Sequence, residues 1–204
     1  MPVTLLRETP SQTAGPYVHL GMVPSVAGLP VRTQENLHVV AGPQTEGETI
    51  KLEFNLWDGT GAPVIDAVVE LWQADGKGRY RHPLDPRVGE IAGDFRGLGR
   101  AAPDLKSGYY FFETVKPGRV KNVDGTLMAP HVSLALFARG INIHLNTRVY
   151  FADEDCNAED PILKMVPPGR RGTLMAERQP GSGTATYRLD IHLQGPKETV
   201  FLDV

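Results

Sequence analysis

A metal site in this chain would need histidine, carboxylate or tyrosinate ligands, because the chain has a single cysteine, Cys156. One thiol excludes an internal disulfide and any site built from several thiolates. No histidines are spaced as H-x-H, and no H-E-x-x-H motif occurs. The phosphate-binding glycine loops and the G-x-S-x-G motif of serine hydrolases are also absent. Residue types and spacing alone therefore give no complete catalytic constellation. The six histidines are His19, His38, His82, His131, His144 and His192.

The composition is that of a globular protein, without the excess of one charge that is typical of nucleic-acid-binding or membrane-binding proteins. The 204 residues are 41% apolar and 22% charged, with a formal net charge of −3. Interspersed charges of both signs argue against a nucleic acid or an anionic membrane as partner. No apolar run is long enough to cross a membrane, and the first ten residues lack the pattern of a secretory signal. We expect a cytoplasmic protein.

Glycines and prolines are spread along the whole chain and cut it into short segments, which is typical of all-β sandwiches and barrels. The pattern predicts one domain over residues 1–204. Residues 1–48 form a proline-rich N-terminal arm with loops, and residues 49–204 form a β-sandwich core with long loops. One short helix is expected at Pro161–Lys164. The predicted strands are Thr49–Trp57, Ala67–Gln73, Tyr109–Val115, His131–Ala138, Ile143–Phe151 and Thr186–Leu193, with Thr199–Leu202 as a possible last strand.

Four segments resemble motifs of the intradiol dioxygenases, and they occur in that family's order. Glu70–His82 resembles "E-x-W-Q-A-x-x-x-G-x-Y", and Tyr109–Gly118 resembles "G-Y-Y-x-F-x-T-x-K-P-G". Ala129–Ser133 stands where the family has "R-P-A-H-I-H", and Thr13–Tyr17 resembles its "T-x-G-P" loop. The resemblance covers most of the chain, and it implies the family's β-sandwich with long loops and an extended arm.

The resemblance also implies a catalytic non-haem Fe(III) held by two tyrosinates and two histidines, with hydroxide as a fifth ligand. Carried over by position, the first tyrosinate falls on Tyr80 and the first histidine on His131. The second tyrosine falls on Val120 and the second histidine on Ser133, while the family's arginine falls near Met128. The resemblance therefore implies that this chain holds no catalytic iron. Tyr80 and His131 would then pack or hydrogen-bond in an inactive pocket.

Within the family, the details resemble the α chains of protocatechuate 3,4-dioxygenases. Pro10–Tyr17, Met128–His131, Phe137–Leu145 and Glu198–Phe201 have the α-type form. This resemblance implies a hetero-oligomer of αβ protomers in which the partner β chain binds Fe(III). The complex would cleave protocatechuate with O2 to 3-carboxy-cis,cis-muconate. The isolated chain would be inactive.

Two segments are candidates for completing the partner's site. The first is the loop Thr13, Gly15, Pro16 and Tyr17, where Gly15-Pro16 favours a rigid turn and Tyr17 offers an aromatic wall. The second is Arg139, whose guanidinium would suit the carboxylate of protocatechuate. The loop could instead serve only interface packing, and Arg139 could be a solvated turn charge.

Two other functions fit the sequence. The chain could be a self-sufficient dioxygenase whose iron is held by rearranged ligands such as His82, His144 or Tyr110. It could also be a non-catalytic β-sandwich binding module that reuses the degenerate pocket for an aromatic ligand or a protein.

Overall fold

The strongest alternating pattern of the sequence forms the first strand of the structure, a computed structural model that describes residues 9–29, 36–181 and 183–203. Strand β1 spans Thr49–Trp57. Its inward positions Ile50, Leu52, Phe54 and Leu56 are all at most 1% exposed. The alternation therefore reports one buried face of a sheet, as expected.

Eight strands lie within the described residues, and hydrogen bonding orders them β3-β2-β5-β6-β7-β8-β1-β4. Most neighbours are antiparallel, whereas β1 with β8 and β6 with β7 are parallel. The two halves of this series fold over each other and are joined through β7, which pairs with both β6 and β8. The strands after β1 are β2 (Val68–Trp72), β3 (Leu98–Ala101), β4 (Tyr109–Val115), β5 (His131–Phe137), β6 (Leu145–Phe151), β7 (Met175–Arg178) and β8 (Ala185–His192).

The hydrophobic core lies between the two halves and takes side chains from both. Within one half, Phe54 on β1 stacks on its cross-strand partner Tyr110 of β4, with ring centroids 5.1 Å apart and an interplanar angle of 7°. Between the halves, Phe151 on β6 meets Tyr187 of β8 edge to face at 4.9 Å. Parallel-displaced and edge-to-face pairs of this kind are the favoured aromatic geometries. The predicted all-β sandwich is confirmed.

Helices are short and lie in the connections. Helix α1 covers Val18–Met22, and α2 covers Pro161–Met165, where a helix was predicted. None of the helices in the described parts of the chain is long and apolar enough to span a bilayer. Short 3-10 helices occur at Pro24–Ala27, Val88–Glu90, Asp155–Glu159 and Pro168–Leu174.

One predicted strand is absent from the structure, and two observed strands were missed. The possible strand Thr199–Leu202 is wrong, because Leu202 makes only an isolated bridge to Asn146. Strands β3 and β7 were not predicted. Each has only four residues, too few for a period of two to show.

The described part of the N-terminal arm lies against the sandwich. Ser11 Oγ donates to the Asn142 carbonyl at 3.1 Å, which ties the arm to the turn between β5 and β6. Further on, the Val40 N–H donates to the Glu113 carbonyl of β4 at 2.8 Å, and Val40 is buried in the main core. Residues 1–8 and 30–35 of the predicted arm lie outside the described residues, and a division of the chain at residue 48 stays a prediction.

Candidate functional site

The loop after β2, which contains Asp75 and Gly78, meets the turn after β4 at Gly118, backbone to backbone. The two form one side of a pocket. The Asp75 carbonyl accepts hydrogen bonds from the Gly78 N–H at 3.0 Å and from the Gly118 N–H at 2.8 Å. Gly78 has a φ of +72°, and a Cβ there would collide with the Arg119 carbonyl oxygen. The glycines of both motifs are therefore needed for this close approach. The contact fixes the residues that follow each turn.

A buried ion pair holds the first loop. Asp75 accepts from Arg79 Nε at 2.8 Å, and both side chains are less than 10% exposed. One residue on, the Tyr80 N–H donates to Asp85 at 2.9 Å. The Arg87 side chain beside Asp85 holds the pKa of that carboxyl well below its usual range, so it stays an acceptor. These charges anchor the backbone that carries Tyr80.

The Tyr80 ring is half-buried and stacks on Trp72 at 5.7 Å, with an interplanar angle of 4°. It also packs against a small apolar cluster of Ala74, Val120 and Met128. Burial raises the pKa of the Tyr80 phenol, and the charge of Arg148 offsets this only in part. The phenol is therefore protonated at neutral pH.

His131 begins β5 and is buried. Its Nδ1 lies 2.8 Å from the Ala129 carbonyl, which assigns the proton to Nδ1. Burial, and then the charge of Arg148, lower the pKa of His131 to about 4. The imidazole is thus neutral at pH 7, with Nε2 left as the unprotonated nitrogen.

Ser133 lies two residues further along β5, directly opposite Arg148 of β6 in the antiparallel register. Arg148 was not singled out from the sequence, although it contacts two residues, Met128 and Tyr150, that pack against these groups. Its Nη1 lies 3.3 Å from Met128 Sδ and 3.5 Å from the Tyr150 hydroxyl oxygen. Knowing its place requires the strand register, which the sequence does not supply.

This donor set does not fit a ferric ion. It offers only one phenol and one imidazole, while Val120 has no donor atom and Arg148 lies opposite Ser133. Within the described residues, no three His, Cys, Asp or Glu side chains come together in a way that could hold a metal. The alternative ligands do not converge either. Tyr110 is in the core with its hydroxyl 3.2 Å from the Val64 carbonyl, His82 faces the pocket, and His144 precedes β6.

The pocket itself is a cavity of about 940 Å³. Its aromatic side is formed by Trp72, Tyr80 and His82, and Leu84 and Leu127 contribute apolar surface. The charged residues of its lining are three cationic side chains, Arg87, Arg119 and Lys121, and one carboxylate, Asp85.

The second group of predicted site residues comes together at a different place. Thr13 Oγ1 donates to the Ala138 carbonyl at 3.1 Å, which sets the loop beside Arg139. Gly15 has a φ of +81°, a conformation that favours glycine, and Tyr17 is 74% exposed. Pro16 lies between them and is exposed.

Arg139 follows β5, and its side chain is 64% exposed. Its Nε lies 3.3 Å from Asp66 Oδ2, an ion pair that was not foreseen from the sequence. The two terminal nitrogens have no carboxylate within ion-pair distance among the described residues. Asp66 thereby orients the guanidinium and leaves its outer edge open.

The two groups lie at opposite ends of β5. Arg139 is six positions after Ser133, which along extended chain is a distance of about 20 Å. The loop with Arg139 and the pocket with Tyr80 therefore cannot line one cavity.

Comparison with known proteins shows which family the chain is related to. A family model described as "Dioxygenase" matches residues 24–195. The protocatechuate 3,4-dioxygenase alpha chain of Pseudomonas putida is 47% identical over 205 aligned positions, covering 100% of both chains. The protocatechuate 3,4-dioxygenase beta chain of Burkholderia cepacia is 31% identical, over 75% of this chain and 67% of that one. The solved catechol 1,2-dioxygenase from Acinetobacter sp. ADP1 has a TM-score of 0.60 at 18% identity, over 90% of this chain and 74% of that one, which shows the shared fold.

Proposed function

This chain belongs to the intradiol dioxygenase family, and we propose that it acts as the alpha subunit of a protocatechuate 3,4-dioxygenase. The family identification made from the four sequence motifs is confirmed. The proposed reaction consumes protocatechuate and O2 and yields 3-carboxy-cis,cis-muconate. The 47% identity over the full length of a protocatechuate 3,4-dioxygenase alpha chain supports this assignment.

The proposal assigns Fe(III) to a partner beta chain. Intradiol dioxygenases are non-haem iron enzymes, and the metal supplies the activation of the catechol ring for reaction with O2. The donor set around Tyr80 and Val120 in this chain does not fit the ion. The relationship to a beta chain at 31% identity supports a pair of similar folds packed as an αβ protomer. Several protomers would then form the hetero-oligomer.

The exposed edge that carries Arg139 and the Thr13 loop is the observation on which the proposed role depends. It lies about 20 Å from the chain's own pocket, so its residues are free to serve a neighbouring chain. Guanidinium groups bind carboxylates through paired hydrogen bonds from both outer nitrogens. Asp66 pairs with Nε of Arg139 and leaves the two outer nitrogens of the guanidinium free.

In this role, Arg139 would bind the ring carboxylate of protocatechuate and turn its two hydroxyl groups towards the partner's iron. Tyr17, with its ring 74% exposed, would cover one face of the substrate and exclude water. The hydrogen bond from Thr13 to the Ala138 carbonyl would hold the loop against Arg139. This chain would contribute binding and orientation rather than proton transfer or metal chemistry.

A first experiment compares this chain alone with the chain co-expressed with its beta partner. We expect the chain alone to contain no iron and to show no protocatechuate-dependent O2 uptake. The co-purified complex should contain about one iron per αβ pair and should take up O2. Iron and turnover in the lone chain would refute the division of labour between the two chains.

The role of Arg139 is tested in the co-purified complex with Arg139→Gln. A charge-assisted hydrogen bond to a carboxylate contributes about 1.5–3 kcal/mol. Its loss should lower kcat/KM for protocatechuate by roughly 10- to 100-fold. Turnover of catechol, which lacks the carboxylate, should not fall. Arg178→Gln is the matched control, because Arg178 is an exposed arginine that pairs with Glu48. Equal losses for both substrates would refute the carboxylate contact.

One observation favours a second function. The cavity of about 940 Å³ combines aromatic side chains with three cationic ones, a lining suited to an aromatic anion. A non-catalytic binding module would use it. Calorimetric titration of the chain alone with benzoate and with protocatechuate tests this function, and the absence of heat at millimolar ligand would rule it out.

We also propose that the complex is cytoplasmic. The single cysteine, Cys156, can form no internal disulfide, and it is a free thiol in the structure. Proteins that keep reduced thiols are typical of a reducing compartment. Fractionation of the source cell, with activity followed in the cytosolic and envelope fractions, tests the location.

A further inference from the structure

Arg148 is a half-buried cation with no acidic partner among the described residues. Its guanidinium contacts Met128 Sδ at 3.3 Å and the Tyr150 hydroxyl oxygen at 3.5 Å, and neither carries a negative charge. Two other half-buried arginines do have acidic partners. Arg100 pairs with Glu70, and Arg119 with Glu159. A charge removed from water without a counter-ion is costly, so its retention calls for an explanation.

The position of Arg148 explains why a charge stands there. It lies directly across from Ser133 in the sheet, and its Nη1 touches the Met128 side chain, which packs with Val120 and Tyr80. The guanidinium thus lies across from Ser133, one of the positions where the family resemblance places metal ligands, and contacts a side chain that packs with two others, Tyr80 and Val120. We propose that Arg148 is the fixed cation of this pocket, taking the place of a metal ion and excluding one.

Two electron-rich groups contact the guanidinium, as such groups would contact a metal ion. A thioether sulfur and a phenol oxygen lie within 3.5 Å of Nη1, and they partly offset the lost hydration of the charge. A metal ion bound by a ligand at position 133 would lie on the same face of the strand pair as this permanent positive charge. Repulsion between like charges is strong where water is partly excluded. Restoring ligands alone would therefore not restore metal binding.

Metal content of the full-length chain, purified without any partner, tests the inference. Val120→Tyr with Ser133→His rebuilds a set of two tyrosines and two histidines around Tyr80 and His131. With Arg148 present, this double variant should bind almost no iron after Fe(III) reconstitution. Adding Arg148→Met should give about one iron per chain and a visible tyrosinate-to-iron absorption band. Adding Arg148→Lys instead, which keeps the charge, should again give none.

Two outcomes would overturn the proposal: iron bound by the double variant that retains Arg148, or equal iron in the Met and Lys versions. Arg178→Gln in the double variant controls for general loss of positive charge, because Arg178 is exposed and lies on β7. It should leave the iron content near zero.

A smaller change covers the case in which the multiple variants do not fold. Ser133→His alone gives three possible ligands, enough for Zn²⁺. Adding Arg148→Met should tighten Zn²⁺ binding by roughly tenfold or more, measured by competition with a chromogenic chelator. Unchanged affinity would overturn the proposal. These readouts need no beta chain and no turnover, so they stand apart from the test of the proposed function.

Discussion

Asp160 is a buried carboxylate that joins helix α2 to the start of β5, and we predict that it is one of the costliest residues to remove. It is 0% exposed. Its Oδ1 accepts from the Ile162 and Leu163 N–H groups, both at 2.9 Å, so it caps α2. Its Oδ2 accepts from the Ala129 N–H at 2.8 Å, two residues before His131. The perturbation is Asp160→Ala.

The expected loss is the sum of separate effects. Removing an N-cap costs about 1 kcal/mol. The Ala129 N–H becomes a buried donor without an acceptor, which costs a further 1–3 kcal/mol or so. The Tyr150 hydroxyl, 3.2 Å from Oδ1, also loses its acceptor. Together these give a decrease of about 3 kcal/mol in the free energy of unfolding, or roughly 6–12 °C in Tm for a chain of this size.

Urea unfolding followed by tryptophan fluorescence measures the change. Asp160→Asn is the matched variant, because its amide oxygen can still cap α2 while its NH2 group faces the Ala129 N–H. We expect Asn to cost about half as much as Ala. A loss below about 1 kcal/mol for Ala, or equal losses for both variants, would refute the view that Asp160 holds the two elements together.

Two further predictions concern the pocket. The pKa of His131 is lowered from 6.5 to about 4, so the unfolded chain binds the extra proton first as the pH falls. Stability should therefore decrease between pH 6.5 and 4, by about 3 kcal/mol, and His131→Gln should flatten this part of the pH profile in urea titrations; a profile unchanged by the substitution would contradict it. Gly78→Ala should cost about 3 kcal/mol, because φ is +72° and the Arg119 carbonyl occupies the space, whereas Gly89→Ala, with open space around it, should cost less than about 1 kcal/mol in the same assay.

Much of the fold could be predicted because its longest strands have one face in the core. The alternation in β1, and the aromatic and β-branched residues of β4, each indicate a half-buried strand without any knowledge of its neighbours. Strand β3 gives no such signal. Its Gly99 packs its backbone against Val40 and Phe112, so the strand exists because of contacts that are distant in sequence. Strand β7 likewise depends on the two neighbours that it joins.

The candidate site divides in the same way. Its motif residues could be named from the sequence, because the glycines and the tyrosine of the first loop have a recognisable spacing. Arg148 and Asp66 could not, since their importance comes from which residues lie opposite them. The register of β5 and β6 places Arg148 across from Ser133, and the turn after β5 brings Arg139 within 3.3 Å of Asp66.

The alternation of β5 explains how a metal site could be lost without loss of the fold. Val132, Leu134 and Leu136 point into the core and are at most 1% exposed. Ser133 is on the other face, as are its cross-strand neighbours that border the pocket. A substitution on that face changes the chemistry of the pocket and leaves core packing intact. Because Thr13 and Asp66 hold the turn that carries Arg139, that end of the strand can keep a binding role after the other end has lost its ligands.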